Sequence, residues 1–269
     1  MGMESIQGKL NTLRQVISDM QSVLVAYSGG IDSTVVLKIA HEQLGERALG
    51  ITALSPTFPA IELDGAKQVA FEIGARHELV QTNQLEIPAF VQNDASRCFH
   101  CKTDLYQLLD GMREQHASLW VADGTNLDDL GEDRPGIKAA REWRVRSPLV
   151  EASLSKSDVR GLAQALGLSN WNKPAAACLS SRIPRGMPIT IGKLRRVEEA
   201  EEILQADGFR HVRVREHGEL ARIEVGAEEF SRLNQPDRRA RLSARLRKIG
   251  FHFVCVDLDG YRAGGISLG

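Results

Sequence analysis

Several things are scarce in this chain. Only 5% of its 269 residues are aromatic and only four are cysteine. No apolar run approaches the ~20 residues that a membrane-crossing helix needs. The opening segment, MGMESIQGKL, lacks an apolar core of signal-peptide length, so a cytoplasmic protein is expected. Neither sign of charge dominates: 34 Lys and Arg stand against 35 Asp and Glu, a net charge of −1. That balance gives no global pull toward nucleic acid or a membrane surface, and no large polyanionic partner is called for. Four cysteines in a reducing compartment do not make a disulfide framework; their clustering points to metal or sulfur chemistry. Internal repeats and low-complexity tracts are also missing.

Two familiar phosphate loops are absent as well. No Lys follows the glycines as G-x-x-x-x-G-K-[ST] requires, and G-x-G-x-x-G does not fit either. In their place stands VLVAYSGGIDSTVVLKI, from Val23 to Ile39. The run Val23 to Tyr27 is short and apolar enough for a buried parallel strand, and Thr34 to Ala40 carries apolar residues at helical spacing. Between them Gly29 and Gly30 open backbone conformations closed to other residues, and Ser28, Ser33 and Thr34 add hydroxyls beside unpaired N–H groups. A helix start carries about half a positive charge, so a pyrophosphate placed there needs few side-chain cations. SGGIDS resembles the loop of the PP-loop ATP pyrophosphatases, which cleave ATP between its α and β phosphates and adenylate a substrate oxygen.

The length exceeds one average domain, and the elements divide accordingly. Leu10, Leu13, Val16, Ile17 and Met20 mark an amphipathic lead-in helix. Strands are expected at Ala48–Leu54, Ala75–Gln81, Leu119–Ala122 and Arg144–Leu149, with helices at Ala60–Gly74, Lys102–His116 and Ser155–Leu166, a parallel-sheet grammar. The acidic stretch Asn126 to Pro135 reads as an exposed loop, in which Asp128 and Asp129 either keep the surface wet or help hold Mg²⁺. From Asn170 to Pro188 three prolines and little periodicity mark a linker or functional loop. Beyond it a helix (Ile191–Ala206), strands at Val212–Arg215 and Ala221–Val225, a helix (Asp237–Ile249) and a strand (Phe251–Asp257) describe a small α+β domain. The boundaries expected are 1–170, a cysteine- and proline-rich connector at 171–190, and 191–269.

Cys98 and Cys101 form a C-x-x-C at a helix entry beside Arg97 and Lys102, a setting that favours thiolate. Alone the pair fits a redox dithiol, half a zinc site or coincidence. Cys178, in the proline-rich loop with Arg182 and Arg185 close behind, adds a third thiol. Three thiolates without a fourth do not match a closed structural zinc site but suit an iron–sulfur cluster with one iron left open. Cys255 lies within an apolar strand and reads as an inert core residue. Arg213 and Arg215 alternate along one strand and so share a face, where paired guanidiniums suit a phosphate or guard a sheet edge. The run Arg238, Arg239, Arg241, Arg245, Arg247, Lys248 reads as a solvated helix face.

Taken together, SGGIDSTVVLK, CFHCK, DGTNLDDLGEDRPGIKAARE, NWNKPAAACLSSRIPRG, VRVREH and FVCVDLDGYRAGG resemble the LarE-type sulfur transferases over nearly the whole chain. Those enzymes use ATP to make the pyridinium bisthiocarboxylate mononucleotide of the nickel-pincer cofactor of lactate racemase. The resemblance implies an α/β fold, a parallel-sheet PP-loop (adenine nucleotide alpha hydrolase-like) domain with a smaller C-terminal α+β domain. It implies that Ser28, Gly29, Gly30, Asp32 and Ser33, with Gly124, hold ATP and its Mg²⁺. Ser181, Arg182, Arg213 and Arg215 match positions for the substrate's phosphate, and Glu201 and Asp237 match acidic residues near the sulfur centre. One branch of the family sacrifices a single cysteine, whose position aligns with Ala177. Cys98, Cys101 and Cys178 instead resemble the branch with three ligands to a 4Fe-4S cluster. A small pyridinium mononucleotide substrate and a homo-oligomer are further implications. The rival readings are a tRNA thiolase, which needs a coherent RNA surface, an amidating ligase, which leaves the cysteines idle, and a nucleotide-binding module without turnover.

Overall fold

The computed structural model describes residues 5–130, 135–174 and 177–261. Two compact units separate within them: one runs to Phe90 and resumes at Ala95, and the other takes Val91–Asp94 and everything from Ala177 onward.

The first unit opens with α1 (Ile6–Ser18), β1 (Val23–Ala26), α2 (Ile31–Leu44), β2 (Ala48–Leu54), α3 (Ala60–Ile73) and β3 (Arg76–Gln81). After the short α4 (Pro88–Val91) come α5 (Arg97–Gln115), β4 (Trp120–Ala122), α6 (Pro135–Glu142), α7 (Pro148–Glu151) and α8 (Lys156–Ala165). The four strands form one parallel sheet in the order β3-β2-β1-β4. Strand alternation divides β1 between two cores. Val23 and Val25 pack with Leu13, Ile17, Val36 and Leu162 from α1, α2 and α8, whereas Leu24 and Ala26 pack with Tyr106, Leu109 and Ala139 from α5 and α6. Both faces are covered, which is why β1 reads as a continuous apolar run.

One expected strand does not form. Arg144–Leu149 makes a single parallel bridge, Arg146 to Ala122, before Pro148 opens the helical turn α7. Arg144 itself sits at φ 53°, outside the extended region, and Pro148 lacks the N–H that a ladder would need. The acidic loop expected at 126–135 is described only as far as Leu130 and again from Pro135; residues 131–134 lie outside the described residues, as do Ala175 and Ala176 of the connector and everything from Arg262 onward in the C-terminal motif.

The second unit contains α9 (Ile191–Ala206), β5 (Val212–His217), β6 (Leu220–Val225), α10 (Phe230–Leu233), α11 (Pro236–Lys248) and β7 (Phe253–Val256). Its sheet is mixed, β5-β6 antiparallel and β6-β7 parallel. Val212, Val214, Ala221, Ile223 and Val225 pack one face against Leu204, Leu242 and Leu246 of α9 and α11. Asn93 ties the outlying piece 91–94 into this unit. Fully buried at φ 57°, it donates its amide to the carbonyls of Ile183, Pro184 and Met187 at 3.3, 2.8 and 2.9 Å.

Candidate active site

Strand order reverses between β1 and β4, so the crevice of this sheet lies outside the carboxyl ends of those two strands. Two glycines make that crevice possible. Gly29 sits at φ 70°, and a Cβ there would lie 2.6 Å from the Cβ of Ala66; a Cβ on Gly124, after β4, would lie 2.7 Å from the Ser33 nitrogen. The turn is cross-braced by hydroxyls: Ser33 Oγ accepts from the Ser28 N–H (3.2 Å) and donates to the Gly30 carbonyl (3.1 Å), and Gly30 N–H donates to Ser28 Oγ (3.3 Å). Gly30 caps α2 without a side chain, leaving the helix's first N–H groups available to an anion.

Three residues that sequence reasoning passed over buttress this turn. The buried Asn170 donates to the Gly29 carbonyl (3.1 Å) and to Thr34 Oγ1 (2.9 Å). Asn126 donates to Asp32 Oδ1 at 3.1 Å, and Lys156, the first residue of α8, forms an ion pair with Asp32. Only Asn126 carried a signal, as the polar residue ending DGTN after a strand. Asp128 and Asp129, weighed as Mg²⁺ ligands, each accept from backbone: Asp128 from Lys156 N–H (2.8 Å) and Asp129 from Asn126 N–H (3.2 Å). Among the described residues no group of three or more His, Cys, Asp or Glu is arranged to hold a metal. Asp32 is a carboxylate on the turn itself, and a single carboxylate suits Mg²⁺ that arrives with phosphates and its own waters.

At the foot of β4, Asp123 is buried and accepts from Tyr106 Oη (2.8 Å), Thr125 Oγ1 (2.7 Å) and Ser147 Oγ (2.8 Å). Lys102 Nζ stands 5.3 Å from the Tyr106 ring centre. Tyr106 first, then Asp123 and the Cys101 thiol, hold the Lys102 ammonium above its ordinary pKa, and burial raises the Tyr106 phenol. Lys102 is therefore a fixed cation next in sequence to one of the three thiols.

Cys98 (exposed) and Cys101 (half-buried) occupy the first turns of α5, which begins at Arg97 and so includes both. Their i, i+3 spacing places them on one face, and Arg97 Nη2 reaches Cys98 Sγ at 4.0 Å. Cys178, also exposed, belongs to the second unit, where it opens a 3-10 turn at Leu179–Arg182. Cys255 differs from expectation. It is half-buried on the sheet face opposite the apolar core, in register with Arg222, and burial pushes its thiol up.

In the second unit the arginines are already engaged. Arg182, 2% exposed, gives a two-pronged pair to Glu201 (2.9 and 2.9 Å). Arg215 does the same to Glu224 (2.8 and 3.0 Å) and donates to the Ser181 carbonyl (2.8 Å). Arg213, on the same strand face as Arg215, lies with its guanidinium 5.2 Å from the Tyr261 ring centre. Burial, then Arg182, lower its pKa below the usual guanidinium value. Ser181 Oγ donates to the Cys178 carbonyl at 2.8 Å. Ser181, Arg182, Arg213, Arg215 and Glu201 are therefore brought together, with Glu224 and Tyr261 as partners the sequence did not signal. Asp237 is not among them: it sits exposed in the first turn of α11 and, among the described residues, takes no part in that hydrogen-bond group.

Over 98% of its length this chain is 38% identical to the pyridinium-3,5-bisthiocarboxylic acid mononucleotide synthase of Lactiplantibacillus plantarum, covering 96% of that protein. The chain belongs to the LarE-type sulfur transferases. Membership makes it an ATP-dependent sulfurtransferase, and residues 12–98 match the asparagine synthase family, whose members share the PP-loop ATP site. Two uncharacterized proteins are also similar. One, from Synechocystis, is 44% identical over 97% of this chain and 98% of its own length. The other, from Methanocaldococcus jannaschii, is 30% identical over 94% and 95%. The PP-loop match ends at residue 98, so the LarE-type relationship rather than the ATP site alone accounts for the second unit and Cys178. No helix among the described residues is long and apolar enough to cross a membrane.

Proposed function

We propose that this sulfurtransferase acts on pyridinium-3,5-biscarboxylic acid mononucleotide, replacing carboxylate oxygen with sulfur for the nickel-pincer cofactor of lactate racemase. The full-length similarity to a synthase of the bisthiocarboxylic acid product carries this reading. Ser28, Gly29, Gly30, Asp32, Ser33 and Gly124 hold the ATP phosphates, and Asp32 is the residue that would hold the Mg²⁺ accompanying them. The substrate carboxylate attacks the α-phosphorus, forming an acyl adenylate and releasing pyrophosphate. A sulfide sulfur then adds to the acyl carbon, and AMP leaves with the carboxylate oxygen. Of Ser181, Arg182, Arg213 and Arg215, the four positions the resemblance gives to the mononucleotide's phosphate, Arg213, Arg215 and Ser181 bind it, a dianion that two cations on one strand face suit. Glu201 and Asp237 are the acids assigned near the sulfur centre.

Cys98, Cys101 and Cys178 are the residues that would hold a 4Fe-4S cluster, which when bound supplies an open iron able to carry an extra sulfide. Their donor chemistry fits: three thiols, two of them exposed and two sharing a helix face, with the cations Arg97 and Lys102 next to that pair in sequence. The enzyme then turns over repeatedly without losing a cysteine. It works in the cytoplasm as a homo-oligomer. Its domains run 1–170 and 191–269 around the connector. The test is anaerobic purification followed by iron and sulfide analysis and an assay of AMP release with and without the pyridinium substrate. About four irons per chain and substrate-dependent AMP are expected. Iron-free protein that still thiolates, with Cys178 losing its sulfur by mass, rejects the cluster; no AMP with this substrate rejects the function. An amidating ligase would also use the asparagine synthase-like region, but Cys98, Cys101 and Cys178 would have no task in it.

A further inference from the structure

We infer that Arg182 and Glu201 are positioning residues that fix Cys178, and that Arg182 does not contact the substrate's phosphate. The inference rests on the assignment of Cys178 to the sulfur chemistry above. Each nitrogen of the Arg182 guanidinium is engaged. Nε and Nη2 meet the two Glu201 oxygens at 2.9 Å each, and Nη1 donates to the Ala177 carbonyl at 2.6 Å and the Cys178 carbonyl at 3.0 Å, with Ser181 Oγ 3.1 Å away. At 2% exposed, the side chain presents no face to a ligand arriving from water. Glu201 is held in turn, since its Oε1 also accepts the Val214 N–H of β5 at 3.0 Å.

A continuous path results, from the backbone of β5 through the Glu201 carboxylate of α9 and the Arg182 fork to the two carbonyls on either side of the Cys178 Cα. The Cys178 carbonyl receives three donors in all, from Arg182 Nη1, Ser181 Oγ (2.8 Å) and Ser181 N–H (3.0 Å). Its backbone is pinned while its thiol stays exposed. A buried ion pair is weak evidence for stability, because desolvating two charges offsets most of their attraction. Such a pair is better explained by what it holds in place. Only a planar fork can serve a carboxylate along one edge and two carbonyls along another, which a single ammonium cannot do.

The experiment places a nitroxide spin label on Cys178 in the full chain carrying Cys98→Ala, Cys101→Ala and Cys255→Ala, and compares Arg182→Lys, Glu201→Gln and Arg213→Lys. In parallel, kcat and KM for the pyridinium mononucleotide are measured with all cysteines present. Arg182→Lys and Glu201→Gln should narrow the spectrum and lower kcat about tenfold to a hundredfold, the range expected for a misplaced reacting group, with KM within about twofold. Arg213→Lys should leave the spectrum unchanged and raise KM. Glu201→Gln keeps the shape of the pair, so it decides the matter should Arg182→Lys fail to fold. An unchanged spectrum in the folded variants, or KM raised with kcat kept, overturns the inference. Should the wild type not thiolate this substrate, the functional proposal fails on its own and the spectrum alone decides whether the pair fixes Cys178.

Discussion

The two units hold their functional groups by opposite means. In the first, the phosphate turn is built mainly from backbone and neutral donors, with the partly exposed Lys156–Asp32 pair beside them: glycines 29 and 124 where no Cβ fits, hydroxyls of Ser28 and Ser33, and the amides of Asn126 and Asn170. In the second, carboxylates that are almost wholly buried, Glu201, Glu216 and Glu224, each face an arginine. The difference follows from the task. A ligand that brings its own negative charge is met by helix N–H groups without a fixed counter-ion, and neutral bracing leaves that field unspent. A reactive thiol and a set of guanidiniums need fixed orientation, and charge-assisted bonds between rigid forks supply it.

The sharpest way to break this comparison is to remove one member of a buried pair. Glu201→Ala leaves Arg182, 2% exposed, without its counter-charge, and should cost about 3–5 kcal/mol in urea unfolding. Glu216→Ala is its internal control. Glu216 is fully buried, but its partner Arg196 is 24% exposed and also donates to the Gly218 carbonyl at 3.0 Å. That arginine can turn to water, so the loss should be smaller, about 1–3 kcal/mol. Equal losses in the two variants would mean that solvent access of the remaining cation does not set the cost.

The neutral unit has its own breaking point at Gly29. Gly29→Ala meets both a φ of 70° and a contact of 2.6 Å with Ala66, so backbone strain and overpacking add to about 2–4 kcal/mol, with loss of binding to a non-hydrolysable ATP analogue. Gly45→Ala separates the two causes. Gly45 has φ 56° with ψ −126°, a region an L residue rarely adopts, and a Cβ there would meet nothing within 4 Å, leaving only the backbone cost of about 1–3 kcal/mol and ATP analogue binding intact. Calorimetric titration with the analogue reads the binding, and thermal unfolding reads the stability.

The neutral site was far more legible in the sequence than the charged one. SGGIDS sits where local rules operate: an apolar run, two glycines, hydroxyls and a helix start within about a dozen residues, and the strand and helices expected around it are present. Its buttresses were not legible, because Asn170 is 141 positions from the Gly29 carbonyl it binds and Lys156 is 124 from Asp32. The charged unit depends on such distant pairs throughout. Strand alternation put Arg213 and Arg215 on one face, yet nothing in the local pattern singles out Glu201, since a buried carboxylate announces itself only through its partner. The misassigned strand at Arg144–Leu149 has a local origin instead: Pro148, which lacks the N–H a ladder needs, and Arg144 at φ 53° stop it at a single bridge.

The smallest effect concerns pH, and it tests whether the units respond alike to acid despite their different construction. His77 of the first unit lies 2.8 Å from Thr52 Oγ1, and Thr52 donates to the Tyr27 carbonyl, so the ring's Nε2 carries the proton in its neutral form. Burial first, then Lys67, lower its pKa; in the second unit burial first, then Arg222, lower that of His217. A histidine whose folded pKa is depressed binds fewer protons folded than unfolded. Its contribution to stability is complete above the unfolded value, about 6.5, and is lost as pH falls below that value. The melting temperature should therefore fall between pH 7 and pH 5, and His77→Gln and His217→Gln should each flatten that slope, with the double variant flatter than either. His77→Gln keeps an amide donor for Thr52, so a change in slope at unchanged high-pH stability isolates the proton. If neither substitution alters the slope, acid acts on the carboxylate–arginine pairs of the second unit instead, and the neutral construction of the first gives it the greater tolerance.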